Sequence, residues 1–230
     1  MLTVRPAAAR GTTQIGWLDS RHSFAFGDYR DPTHTNFRTL RVLNDDRVAP
    51  GQGFGSHPHR AMEIITVVLS GALAHRDSMG TGATVTAGEW QYMSAGTGVT
   101  HSEVNPSATD AVHLLQIWVL PNVRAAAPRY AQSRPPTAPD AWHLVLAPDG
   151  ESAPMPIRQD ARVLTATFTP GGRATYPLKP GRAAYLHLAT GAATVNGIPL
   201  TAGDGAILDG EAAVEVTGVE AGVAVLFDLA

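Results

Sequence analysis

Cysteine is absent from the 230 residues. Disulfides and thiolate metal sites are therefore excluded. Lysine is nearly absent, with Lys179 the single example, and charged residues make up only 16% of the chain. The net charge is -3 and no Lys/Arg cluster occurs, so the electrostatic footprint of direct nucleic-acid binding is missing. No apolar run approaches the roughly 20 residues that span a bilayer, and the N-terminus lacks a basic-then-apolar signal segment. A cytoplasmic protein without membrane or nucleic-acid contacts is expected. Helical periodicity is equally scarce, because glycine is frequent, proline is scattered and apolar runs are short.

What is present is a series of short β-type segments. Glu63 to Leu69 is dominated by the β-branched run Ile64, Ile65, Thr66, Val67 and Val68, which stops at Ser70-Gly71. Val112 to Leu120 is a second long apolar strand, and Asn196-Gly197 is a hairpin turn in which both residues tolerate positive φ. Strands at regular turn spacing point to an all-β sandwich or barrel. A proline-rich stretch at 126–140 reads as a linker between an N-terminal domain (1–125) and a C-terminal domain (141–230). Thr86-Ala87-Gly88-Glu89 recurs as Thr201-Ala202-Gly203-Asp204, and together with the linker this favours a duplicated barrel.

Two strings carry the chemistry: His57-Pro58-His59 and His101-Ser102-Glu103. Each places metal-competent side chains at i and i+2, which on a strand point to one face. Neighbouring strands can then aim three imidazoles and one carboxylate at a single point. That donor set suits a divalent transition metal such as iron, nickel, cobalt, copper, manganese or zinc. Glu63 is a rival for the carboxylate, since strand parity also turns it inward and periodicity does not separate it from Glu103. In the second half, the positions equivalent by spacing to His57 and His101 are Pro177 and Val216, neither of which binds metal. His187 is the only nearby imidazole there, and it reads as a core or surface residue. His75-Arg76-Asp77 reads as a salt-bridged hairpin cap. Phe54, Met62, Trp90, Met93 and Trp118 are candidates to line an aromatic pocket or to fill the core. No nucleophile–base arrangement suggests a hydrolase.

Several segments resemble the pirin family of bicupins. They are Gly16-Trp17-Leu18-Asp19-Ser20-Arg21-His22-Ser23-Phe24, Gly53-Phe54-Gly55-Ser56-His57-Pro58-His59-Arg60 with Glu63-Ile64-Ile65-Thr66, Met93 to Glu103, and His113-Leu114-Leu115-Gln116-Ile117-Trp118. Within the family the chain is most similar to the bacterial quercetin 2,3-dioxygenase-like members. The resemblance implies two jelly-roll-like cupin barrels in tandem, with a metal, iron(II) foremost, in the first. It implies His57, His59, His101 and Glu103 as ligands, with Glu103 favoured over Glu63 and also placed to act as a catalytic base. The activity implied is dioxygenase cleavage of a flavonol such as quercetin with O2, releasing carbon monoxide. The alternative it implies is a metal-dependent, redox-sensitive regulator acting through protein partners.

Overall fold

The computed structural model describes residues 1–230, and a three-residue 3-10 turn at Ala7–Ala9 is its only helical element. The first strands in chain order are β1 (Leu2–Arg5), β2 (Gly11–Ile15), β3 (Leu18–His22), β4 (Leu40–Val48), β5 (Gly53–His59) and β6 (Glu63–Ser70). They are followed by β7 (Ala72–Asp77), β8 (Gly82–Thr86), β9 (Trp90–Ser94), β10 (Val99–Val104), β11 (Val112–Val119) and β12 (Arg129–Ser133). The later strands are β13 (His143–Pro148), β14 (Met155–Ile157), β15 (Ala161–Phe168), β16 (Arg173–Pro177) and β17 (Ala183–Thr190). The series ends with β18 (Ala192–Val195), β19 (Ile198–Thr201), β20 (Gly205–Asp209), β21 (Ala213–Gly218) and β22 (Gly222–Leu229).

The chain divides into two compact units. One comprises Gly11–Arg134 with Ile157–Gln159, and the other Met1–Arg10, Pro135–Pro156 and Asp160–Ala230. β12 lies inside the proline-rich 126–140 stretch and pairs with β9. β1 pairs with β20 and so belongs to the unit built by the C-terminal half.

The first unit contains a seven-stranded sheet in the order β12-β9-β6-β11-β4-β3-β2 and a four-stranded sheet β5-β10-β7-β8. The second contains β1-β20-β17-β22-β15-β13-β14 and β16-β21-β18-β19. The central strands β9-β6-β11-β4 and the small sheet β5-β10-β7-β8 recur in the same chain order as β20-β17-β22-β15 and β16-β21-β18-β19, which is the topology of a duplication, while the flanking strands differ. The repeated tetrapeptide makes the same turn in both units. Glu89 Oε2 accepts from the Thr86 amide and hydroxyl at 2.8 Å each, and Asp204 Oδ2 accepts from the Thr201 amide at 2.8 Å and hydroxyl at 3.0 Å. Gly88 and Gly203 sit at φ +81° and +89°, a region a side chain disfavours.

The expected closed barrels are not formed. In each unit the two sheets remain separate, and β12, β2, β5 and β8 are edge strands with a partner on one side only. No ladder joins the edges of the four-stranded sheet to those of the seven-stranded one, so each unit is a two-sheet, cupin-like sandwich open at its margins. Alternation and turn spacing specify antiparallel strands, but closure depends on edge pairing, which periodicity does not encode.

In the first unit, Leu73 and Val85 from the small sheet pack against Val68, Leu114, Val48 and Leu18 from the large one. Each such side chain contributes about 1.5–3 kcal/mol on burial. The facing surface of the large sheet also carries a polar row. His22 pairs with Asn44, Asn44 with Gln116, Gln116 with Thr66, and Thr66 with Gln91 across five strands. In the second unit the corresponding interior is apolar, with Ala174, Val214 and Val216 in its core cluster. Val216 is buried but its ladder partner is Ala174, while Pro177 is exposed. His187 is fully buried, alternating along β17 with the cluster residues Leu186 and Leu188 and so turned away from that cluster.

Candidate metal centre

β5 and β10 run antiparallel with His57 opposite His101, and His59 follows two residues on along β5. The three imidazoles converge. Their ring centroids are 4.5 to 4.9 Å apart, and His101 Nε2 lies 3.1 Å from His57 Nε2. Ligating atoms of His57, His59 and His101 all lie within 4.8 Å of one another. Glu103 falls in a second, overlapping group with His75 and His101, within the same 4.8 Å limit. The displacement has a cause in the ladder, whose register shifts between His101 and Glu103, so that Gly55 and Ser56 together oppose Ser102. This bulge re-aims Glu103 relative to the histidines. It also requires Gly53, because a Cβ there would lie 2.3 Å from the Glu103 carbonyl oxygen and 2.6 Å from Val104 Cα.

The proton positions follow from the partners. His57 Nδ1 donates to the Gly55 carbonyl at 2.7 Å, which leaves its Nε2 lone pair directed at His101 Nε2. His75 Nε2 donates to Asp77 Oδ2 at 3.0 Å. The Nδ1 of a neutral His75 is then an acceptor, and His101 Nδ1 meets it at 3.5 Å. This chain from Asp77 through His75 fixes the tautomer that exposes the His101 Nε2 lone pair. Asp77 is itself anchored: although burial opposes it, hydrogen bonds from His75 and the Thr81 and Met79 amides hold its carboxyl below the usual range. Desolvation, reinforced by the neighbouring imidazoles, pushes His59 down to about 4 and His101 down to about 3. Both rings are therefore neutral donors at ordinary pH.

Glu103 is 2% exposed and held by the polar row. Its Oε1 accepts from Gln91 Nε2 at 2.8 Å and Thr66 Oγ1 at 3.2 Å, and its Oε2 accepts from Gln116 Nε2 at 2.7 Å. A carboxylate offers about four lone-pair sites, so one remains, on Oε2. Glu63 behaves differently. Its carboxylate accepts from Tyr92 Oη, from Ser94 Oγ at 2.7 Å and from the Arg158 amide at 3.2 Å, and it joins no group of clustered metal-competent side chains. Beyond a polar residue at an inward position of an otherwise apolar strand, nothing in the sequence pattern marks Thr66, Gln91 and Gln116 as site residues.

A cavity of about 350 Å³ opens beside the histidines and is lined by His57, His59, Glu103, Gln116, Phe54 and Trp118, and across from them by Ser20, His22, Phe26, Asn44 and Asp46. The size is that of a small-molecule pocket. Trp118 meets His59 edge to face at 5.0 Å and Phe26 at 5.4 Å. Of the other apolar candidates, Trp90 and Met93 are core residues, and Met62 packs against the cluster of Ile64 and Met93. The donor chemistry fits a divalent first-row transition ion, with three imidazoles, one carboxylate and no sulfur. Two nitrogens 3.1 Å apart can both lie about 2.1 Å from one ion.

Comparison with known proteins gives a consistent picture. Residues 3–119 match the Pirin family model, and residues 144–229 match the quercetinase C-terminal cupin domain. A protein of Escherichia coli K12 named quercetin 2,3-dioxygenase is 41% identical over 229 residues, covering 100% of this chain and 99% of its own. A putative quercetin 2,3-dioxygenase of Pseudomonas aeruginosa is 42% identical over 233 residues, covering 100% of both chains. The crystal structure of the Escherichia coli bacterial pirin YhhW in complex with nickel(II) matches with a TM-score of 0.94 and 40% identity, over 100% of this chain and 99% of that one. Matched over both halves and in fold, the chain belongs to the pirin family.

Proposed function

We propose that the chain is a metal-dependent dioxygenase that cleaves flavonols of the quercetin type with O2, releasing carbon monoxide, and that His57, His59, His101 and Glu103 hold its metal. The observation that carries this reading is the convergence of three imidazoles beside a buried carboxylate, at the wall of a cavity with aromatic sides. The relatives named for this activity support it, as does the nickel(II) held by a relative. Iron(II), nickel(II) and similar ions are all compatible with the donor set.

A bound divalent ion would supply Lewis acidity to the adjacent 3-hydroxyl and 4-carbonyl oxygens of the flavonol. The remaining work falls to the protein. Phe26, Phe54 and Trp118 flank a flat ring system and keep water from it. Glu103 would release the ion to receive the 3-hydroxyl proton, because its one spare lone pair, on Oε2, serves either as ligand or as catalytic base and not as both at once. Gln91, Thr66 and Gln116 hold that carboxylate in place through the transfer. The His75–Asp77 pair orients His101. A cytoplasmic location is part of the proposal, and fractionation of expressing cells checks it.

The test is aerobic incubation of metal-loaded protein with quercetin. Loss of the flavonol absorbance with release of carbon monoxide is expected. Retention of both flavonol and oxygen by protein shown to be metal-loaded overturns the assignment.

A further inference from the structure

The cavity has a second polar wall that the proposed chemistry does not use. Ser20 and His22 lie at i and i+2 on β3, and Asn44 and Asp46 do so on β4. In the ladder Ser20 faces Asp46 and His22 faces Asn44, so all four project from one face, and all four line the cavity. Each is nearly buried, with Asn44 3% and Asp46 2% exposed. Their mutual hydrogen bonds are incomplete in a specific way. His22 Nε2 accepts from Thr13 Oγ1 at 2.8 Å, and His22 Nδ1 donates to Asn44 Oδ1 at 2.8 Å. This fixes Asn44 with its amide nitrogen turned from His22, and that nitrogen has no protein partner. Ser20 Oγ donates to Asp46 Oδ1, and Asp46 Oδ2 likewise has no protein partner. A donor and an acceptor on two nearly buried side chains thus stand on neighbouring inward positions of one strand and face the cavity. With their other polar atoms held by His22 and Ser20, the two are positioned to meet a polar group that enters the cavity.

We propose that Asn44 and Asp46, held in position by His22 and Ser20, form a subsite that binds a ring hydroxyl of a polyhydroxylated aromatic ligand. A phenolic hydroxyl is both donor and acceptor. It gives its hydrogen to Asp46 Oδ2 and takes one from Asn44 Nδ2. Gln116, which holds Glu103, is the ladder partner of Asn44, so the subsite begins one strand spacing, about 4.8 Å, from the column that anchors the metal-side carboxylate. A flat ligand reaching both ends lies along the polar row between Phe26, Phe54 and Trp118. The inference rests on the flavonol reading and sharpens it: substrates that carry hydroxyls beyond the 3-position are favoured over those that do not.

The test compares quercetin with 3-hydroxyflavone, which keeps the 3-hydroxyl and 4-carbonyl and lacks the other hydroxyls. Binding to nickel-loaded protein is measured anaerobically by calorimetry at pH 8, where Asp46 is ionised, so that no turnover is needed. For the wild-type protein, quercetin is expected to bind at least about tenfold more tightly, the scale of one hydrogen bond to a charged group. In Asp46→Asn and Asn44→Ala the ratio falls towards one, and the loss is confined to quercetin. Equal wild-type affinity for the two ligands overturns the subsite and leaves the flavonol reading standing, and so does an equal weakening of both ligands in the variants. Failure of the wild-type protein to bind either ligand overturns both. The wild-type ratio decides the matter even where a variant does not fold.

Discussion

Gln116 offers the sharpest test of whether Glu103 is a ligand. Its amide donates to Glu103 Oε2 at 2.7 Å, the oxygen that keeps a lone pair for an ion. Substituting Gln116→Leu removes that donor while retaining an apolar filling of the position. A hydrogen bond to a charged group contributes about 1.5–3 kcal/mol. Loss of an outer partner of a metal ligand typically costs about 10- to 100-fold in affinity, equivalent to about 1.4–2.8 kcal/mol. The two estimates agree, so the nickel(II) dissociation constant is expected to rise 10- to 100-fold, measured by anaerobic competition with a chromophoric chelator at pH 7. The decisive step is a double-mutant cycle. In a Glu103→Gln background, already weak, Gln116→Leu is expected to change affinity less than about twofold, because the group it orients no longer carries charge. Glu63→Gln is the counter-control. Its contacts are Tyr92, Ser94 and the Arg158 amide, so it lowers stability and leaves metal affinity nearly unchanged. Strict additivity of Gln116→Leu and Glu103→Gln, in variants with a normal cooperative unfolding transition, refutes the reasoning, and a large loss of metal in Glu63→Gln would reassign the carboxylate.

Three further outcomes are expected. His75→Ala breaks the chain from Asp77 to His101 Nδ1 and raises the metal dissociation constant about 10- to 100-fold; an unchanged constant in the same chelator competition removes His75 from the centre. Gly53→Ala drives a methyl into the Glu103 carbonyl and Val104 backbone. This overpacking costs about 1–3 kcal/mol in urea unfolding and loosens metal binding as the bulge shifts, whereas an unperturbed midpoint shows that the ladder yields without cost. Asp46 governs a pH dependence. Burial, with Asp45, Glu103 and Asp19 nearby and only Ser20 opposing, pushes its carboxyl up from 3.8 to about 7. Between those values the folded chain binds more protons than the unfolded one, so stability falls as pH rises through that window and levels off above it. The integrated loss is roughly 4 kcal/mol, and Asp46→Asn should flatten this part of the profile in urea titrations from pH 4 to 8. Parallel profiles for the two proteins count against it.

How much of this was legible beforehand depends on the range of the interaction involved. His57, His59 and His101 declared themselves because two short strings put ligand-type residues at strand spacing, and an i, i+2 relation is local. Glu103 and Glu63 were indistinguishable by the same rule, because choosing between them requires the slip between His101 and Glu103 and the cross-strand partners Tyr92 and Ser94. Thr66, Gln91, Gln116 and Asn44 each look incidental within an apolar strand. They become a row only through registers linking β9, β6, β11 and β4, and register is a tertiary property. The open margins and the pairing of β1 with β20 escaped for the same reason. The duplication itself was visible in a four-residue repeat because that repeat is a turn closed by its own acidic side chain, needing no distant partner. The division has a functional consequence. Both units keep the turn and the central strand order, but only the first combines the histidine strings with a polar row, while the second has Ala174, Val214 and Val216 in the equivalent interior. On the proposed assignment, metal chemistry depends on the long-range row as much as on the local strings: three histidines grafted onto β16 and β21 alone, with no counterpart of Gln91 or Gln116 to hold a carboxylate, would gather nitrogens without an oriented base.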